Sequence, residues 1–231
     1  DRTIKLQHAR LLDGETLAVI GERTAAVSHN IRNPLASIRS AAELSLVMPL
    51  DDCSEQARDI IREVDRISGR ITELLRLSGQ EVRGRERVDL AGLLQRCVIE
   101  NNTIFEERGT PLYFECRSAE PWITADPALL QQAFLSLLSN AAEAMRQGGT
   151  CRIVVEDAAA KQIRVVVADS GCGIKPESIR QVLRPFFTTK PQGLGLGLPF
   201  AKRIVERCGG SLHLDSAPGE GTEVHLLFPR A

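Results

Sequence analysis

Along the first third of the chain, residues that suit a helix interface recur at alternating spacings of four and three: Ile20, Thr24, Val27, Ile31, Pro34, Ile38 and Ala41. That spacing keeps one stripe on a common side of a helix and predicts a seam for a partner helix. Met48-Pro49-Leu50-Asp51-Asp52 interrupts it, because Pro49 lacks the N–H a continuing helix needs. A second stripe runs through Ala57, Ile61, Val64, Ile67, Ile71, Leu74 and Ser78, with Ser54 placed to cap its helix. Two helices about a short break predict an antiparallel hairpin. One hairpin has too little core to stand alone, whereas two share a seam as a four-helix bundle, so a homodimer is expected. The competing expectation is a hairpin packed on its own C-terminal domain.

After Ser78-Gly79-Gln80-Glu81-Val82-Arg83-Gly84-Arg85, which is polar and punctuated by glycine, the period changes. The predicted division is an all-α hairpin over residues 1–79, a linker over 80–87 and a second domain over 88–231. In that domain Val88-Asp89-Leu90 reads as a short strand and residues 90 to 107 as a helix. Strands follow at 112–116 and 122–125. Asp126 and Pro127 then open a helix to about Met145, as N-cap and first-turn proline. Strands are predicted at 151–156, 162–168, 211–215 and 222–228, with a helix at about 198–208 between the second and third. Helices interspersed with strand hairpins predict an α+β sandwich with a mixed sheet.

Composition changes this picture little. The chain has 231 residues, 43% hydrophobic and 26% charged, as in ordinary soluble domains. A net charge of -1 supplies no attraction toward nucleic acid or an anionic membrane, and neither is expected as a partner. The six cysteines stand apart without C-x-x-C or nearby histidine, against a zinc site or disulfide framework; each is expected to be small core filler in a reducing compartment. No apolar run approaches the roughly 18 residues of a membrane span. Asp1 begins without methionine and reads as entering a helix already under way, so the chain is expected to be the cytoplasmic part of a longer protein. Any membrane anchor would lie in the missing N-terminal part.

The candidate chemistry begins at His29, in Ser28-His29-Asn30-Ile31-Arg32-Asn33-Pro34-Leu35. It lies between seam positions Val27 and Ile31, which turns it away from the bundle axis. Imidazole titrates near neutrality and is then a nucleophile. Far downstream stand the parts of a nucleotide site. Asn140 interrupts the apolar helix pattern of Leu137-Leu138-Ser139-Asn140-Ala141-Ala142, and a neutral amide oxygen suits magnesium beside phosphates. Asp169 ends the run Val165-Val166-Val167-Ala168 and precedes Gly171 and Gly173; its carboxylate can accept from an adenine amine. Gly193, Gly195 and Gly197 alternate ahead of a helix, where backbone N–H groups can converge on phosphate. This is neither a dinucleotide fingerprint nor a Walker A loop. Pro218-Gly219-Glu220-Gly221-Thr222 reads as a hairpin turn, with Thr222 an addition to the nucleotide site.

The order of these pieces resembles the sensor histidine kinases of two-component signalling over nearly the whole chain. Residues 28–35 are similar to the phosphoacceptor box, 136–144 to the N box, and 167–174, 193–199 and 219–222 to three glycine boxes. Residues 183–190 are similar to the F box. Arg32-Asn33-Pro34-Leu35 and Pro185-Phe186-Phe187-Thr188-Thr189-Lys190 look most like the nitrogen-regulation-type sensors. The resemblance implies a dimeric helical hairpin followed by a sandwich of the gyrase/Hsp90/histidine-kinase ATPase type. It implies ATP and Mg2+ as cofactors, His29 as the phosphorylated nucleophile, and Asn140 as magnesium ligand. Asp169 would bind the adenine amine, Gly171, Gly173, Gly193, Gly195 and Gly197 would shape the pocket and lid, and Lys190 would assist. The partner implied is a response-regulator receiver domain, and any anchoring of the full-length protein in the inner membrane would lie outside this sequence.

Three departures bear on activity. The residue after the histidine is usually acidic in this family; here it is Asn30, which offers no basic carboxylate. Ser136 is shorter than the amide common four residues before Asn140, and Arg184 replaces a common glutamate. Autophosphorylation of His29 with transfer to a receiver aspartate is therefore expected, at a reduced rate. Asn33, at i+4 from His29, shares its helix face and could orient water on a phosphoaspartate, as the family's phosphatases are thought to do. A non-catalytic ATP-binding scaffold that presents receivers remains the alternative. An ATP hydrolase shares the sandwich but leaves the histidine hairpin without a role.

Overall fold

Asp126 and Pro127 start a helix as their chemistry dictates. The Asp126 carboxylate accepts from the N–H groups of Ala128 and Leu129 at 3.0 and 3.2 Å, and Pro127 occupies a position whose N–H would have no helical partner. The computed structural model describes residues 35–43, 57, 58, 60, 64, 84–158, 161–190 and 193–231. The chain divides into two compact units, Asp1–Gln80 with Thr188–Leu196, and Glu81–Phe187 with Gly197–Ala231.

Of the predicted hairpin, residues 35–43 are helical, with Arg39 and Glu43 paired at 2.7 Å one turn apart. Seam residues Ile38 and Ala41 are half-buried, and Ala36, Ser37 and Ser40 are exposed. The break at Pro49 and the cap at Ser54 lie outside the described residues.

The second unit contains strands β1 (Glu86–Asp89), β2 (Leu112–Cys116), β3 (Trp122–Ala125), β4 (Cys151–Ala158), β5 (Gln162–Asp169), β6 (Ser211–Ala217) and β7 (Gly221–Pro229). Its helices are α1 (Leu90–Glu107), α2 (Pro127–Ala144) and α3 (Gly197–Arg207). The predicted strand at 88–90 sits earlier, because Asp89 caps α1 through Ala91 N–H and Leu90 is already helical. Five strands form one sheet in the order β2-β4-β5-β7-β6, and β1 pairs with β3 in a separate two-stranded ribbon. Among the described strands of the larger sheet only β2 and β4 run parallel, so it is mixed, as expected.

Alternation along the strands determines which face is buried. Ile153 and Val155 of β4, Ile163, Val165 and Val167 of β5, and Val224, Leu226 and Phe228 of β7 are buried. Leu93 and Leu94 of α1, Leu130, Phe134 and Leu138 of α2, and Phe200 and Ile204 of α3 complete the core. Phe134 meets Phe228 at a centroid distance of 6.5 Å. Each such side chain contributes about 1.5–3 kcal/mol through removal from water. Charged side chains lie on the other face of β4 and β5, where Arg164 pairs with Glu156 at 2.5 Å, and on β6 His213 meets Asp215 at 3.0 Å. Among the described residues, no helix is long and apolar enough to cross a membrane.

Candidate nucleotide site

The end of β5 delivers Asp169 beside Cys151 of β4 and Thr222 of β7, which are its register partners. One Asp169 carboxylate oxygen accepts from the Gly171 N–H at 2.8 Å, so the carboxylate itself shapes the turn that follows. Gly171 lies against the end of α2: a Cβ there would stand 2.7 Å from the Ala144 Cβ and 2.8 Å from its carbonyl carbon. The Cys172 N–H donates to the Ala144 carbonyl at 3.1 Å. Gly173 has φ +69, the left-handed region glycine adopts at little cost, and passes directly under the Ala217 carbonyl.

The other part of the site lies one turn earlier on α2. A Cβ on Gly197, the first residue of α3, would fall 2.5 Å from Ser136 Oγ and 3.0 Å from Asn140 Nδ2. Ser136 and Asn140 of the N box therefore stand at the N-terminus of α3, where backbone N–H groups and the helix dipole favour an anion. The last two turns of α2 thus touch both glycine segments, Asn140 toward Gly197 and Ala144 toward Gly171.

The structure brings together Asn140, Asp169, Gly171, Gly173, Gly197 and Thr222. Lys190, Gly193 and Gly195 fall in Thr188–Leu196, which divides with the other unit. There, Lys190 N–H donates to Thr188 Oγ1 at 3.0 Å, Gly193 N–H to the Lys190 carbonyl at 3.3 Å, and Gly195 has φ +66. His29, Asn30 and Asn33 lie outside the described residues. Phe186, in the segment similar to the F box, has φ +66, uncommon for a residue with a Cβ. Ser216, which nothing in the sequence singles out, ties the candidate site together: it accepts from the Ile174 N–H at 2.8 Å and donates to the Gly221 carbonyl at 2.7 Å. A serine inside a strand carries no local signal of partners so distant in the chain.

The cysteines need one correction. Cys97 and Cys151 are core filler as expected and Cys208 is half-buried, but Cys116 ends the edge strand β2 and Cys172 stands in the glycine turn, so both are exposed. Burial, with the Asp169 charge adding to it, pushes the Cys151 thiol from 9.0 up to about 12. Burial and then Glu100 push Cys97 to about 11. Iodoacetamide at about pH 8 should therefore label Cys116 and Cys172 well before Cys97 and Cys151, as peptide mass spectrometry would read. The same shifts set a pH dependence. The folded chain holds these two protons more tightly than the unfolded chain. Their contribution is whole below pH 9.0 and is lost as pH rises toward 11 and 12.

A carboxylate at a strand end, glycines under backbone, and an amide at a helix N-terminus on a mixed-sheet sandwich define an ATP-binding domain of the kinase, gyrase and Hsp90 type. Residues 125–231 match the family of histidine kinase-, DNA gyrase B- and HSP90-like ATPases, and residues 20–81 match the phospho-acceptor His Kinase A domain. The sensor histidine kinase ZraS of Klebsiella oxytoca is 35% identical over 217 residues, which cover 93% of this chain and 47% of that protein. The signal transduction histidine-protein kinase AtoS of Escherichia coli is 31% identical over 221 residues, 95% of this chain and 36% of that one. A crystal structure of the histidine kinase ThkA in complex with the response regulator protein TrrA is similar with a TM-score of 0.81 at 25% identity. It covers 100% of this chain and 67% of that one. The chain belongs to the sensor histidine kinases of two-component signalling, with a helical phosphoacceptor region followed by the α+β ATPase sandwich. It spans less than half the length of the two relatives ZraS and AtoS.

Proposed function

We propose that this chain autophosphorylates on His29 with ATP and passes the phosphoryl group to an aspartate of a response-regulator receiver domain, working in the cytoplasm as a homodimer. The observation that carries the reading is the assembly of Asp169, Thr222, Gly171 and Asn140 around the end of α2, in a chain whose upstream segment matches a phosphoacceptor domain. Asp169 would accept from the base, the N-terminus of α3 would receive phosphate, and the Asn140 oxygen would face magnesium. Among the described residues, no three His, Cys, Asp or Glu side chains gather to hold a metal. That fits an ion which takes most of its ligands from phosphate and water, with one neutral amide from the protein. When bound, magnesium would offset phosphate charge in the transition state. The four-three spacing that includes Ile38 and Ala41 supports a seam for a helix of a second copy.

The test is incubation with γ-labelled ATP. Label should appear on the wild type and vanish in His29→Ala. Saturable ATP binding without any label would favour the scaffold reading.

A second reaction rests on Asn33, one helical turn from His29 in the sequence. Its amide would orient water for attack on the receiver's phosphoaspartate, a step that needs no base at position 30. Asn33→Ala should slow release of phosphate from a phosphorylated receiver by about 10²-fold while leaving label on His29 intact. Dephosphorylation unchanged by Asn33→Ala would remove this second reaction.

A further inference from the structure

Cys151, Asp169, Thr222 and Ser216 form one lateral row across β4, β5, β7 and β6. The hydrogen bonding of the last two determines what the row offers a ligand. A serine hydroxyl has one proton and two lone pairs. Ser216 Oγ accepts from the Ile174 N–H at 2.8 Å. It also stands 2.7 Å from the Gly221 carbonyl oxygen, which can only accept, so the serine proton lies on that contact. The remaining neighbour is Thr222 Oγ1 at 3.0 Å. With the Ser216 proton committed to Gly221, Thr222 must be the donor of this pair. Its own proton then points to Ser216, and only lone pairs are left for anything else. Asp169, as a carboxylate, has no proton to offer either. The adjoining Asp169 and Thr222 therefore make an acceptor–acceptor pair.

We propose that Ser216 is a specificity-determining residue of the nucleotide site. By fixing the polarity of Thr222, it makes the Asp169–Thr222 pair select a 6-amino purine and reject a 6-oxo purine. The inference rests on the reading that Asp169 faces the base. A 6-amino group brings two N–H donors to these acceptors. A 6-oxo group sets its own lone pairs against theirs, and the single N1–H beside it cannot serve both acceptors, so one is left unpaired, a mismatch that discriminates between the bases. Without the Ser216 hydroxyl, the Thr222 O–H is free to turn and donate to a 6-oxo oxygen. The loops themselves stay tied, because the Gly219 N–H still donates to the Cys172 carbonyl at 2.9 Å.

Calorimetric titration of the whole chain with ATP and with inosine triphosphate tests this, since the two differ only at the base edge in question. The wild type should bind ATP more tightly. Ser216→Ala should narrow the ATP-to-inosine preference about tenfold, mainly by improving inosine triphosphate, and Ser216→Thr should keep it. An unchanged ratio in Ser216→Ala, or equal weakening of both nucleotides, would overturn the inference. Asp169→Asn separates the two levels. If it narrows the preference and Ser216→Ala does not, the base-facing reading stands and the role of Ser216 is lost. If Asp169→Asn leaves the preference intact, the base-facing reading itself fails.

Discussion

Asn30→Asp should raise the initial rate of label incorporation on His29 about a hundredfold, the usual size of general acid–base catalysis. When the imidazole Nε2 attacks the γ-phosphoryl group, positive charge develops on the ring and its Nδ1 proton becomes acidic. A carboxylate in the next position can take that proton or hold the charge, whereas the Asn30 amide can only accept a weak hydrogen bond. The change is close to isosteric, so packing differences do not enter. About 2.7 kcal/mol of barrier corresponds to that factor. Single-turnover measurement with γ-labelled ATP reads it directly, and Asn30→Asp in a His29→Ala background should give no label. Equal rates for wild type and Asn30→Asp would show that the proton leaves by another route.

Gly173→Ala should cost the catalytic unit about 3 kcal/mol and abolish measurable ATP binding. Two independent terms add there. An L-residue at φ +69 is strained by about 1 kcal/mol or more, and its Cβ would fall on the Ala217 carbonyl oxygen with the Gly221 oxygen only 3.2 Å away. Both obstacles are backbone atoms of the β6–β7 hairpin, which cannot rotate aside as a side chain can. For a unit of this size, that is about 10 °C in melting temperature. Gly219→Ala is the control: φ is +81, but nothing lies within 4 Å of its added Cβ, so only the first term, about 1 kcal/mol, applies. Circular dichroism melts of the two variants should therefore differ severalfold in shift, and equal shifts would refute the steric term.

Elements written in local chemistry are legible in the residues themselves. The Asp126-Pro127 start, the span of α1 and the end of β5 at Asp169 follow from caps, proline and apolar runs within a few residues of each feature. The close approaches at Gly171, Gly173 and Gly197 fall in glycine segments that spacing and order already single out. What stays hidden depends on partners far apart in sequence. Nothing in Leu112–Cys116 announces that it runs parallel to Cys151–Ala158, and nothing in Glu86–Asp89 names Trp122–Ala125 as its partner. Exposed Cys172 and the bridging Ser216 belong to the same class. A thiol in a turn and a hydroxyl in a strand acquire their roles from chain brought alongside by the fold.

Trp122, the single tryptophan of the chain, sits in β3 with the Arg87 guanidinium 4.8 Å from its ring centroid. Its carbonyl accepts from the N–H of Ala231, so the first strand of the catalytic unit and the last residue of the chain both meet this one chromophore. Intrinsic tryptophan fluorescence of this chain therefore reports the catalytic unit alone, while far-ultraviolet ellipticity counts helix wherever it occurs. Recorded on one sample, the two signals share a midpoint only if both units lose structure in a single cooperative event. No dye, label or added residue is needed to ask whether the two units of this chain unfold as one.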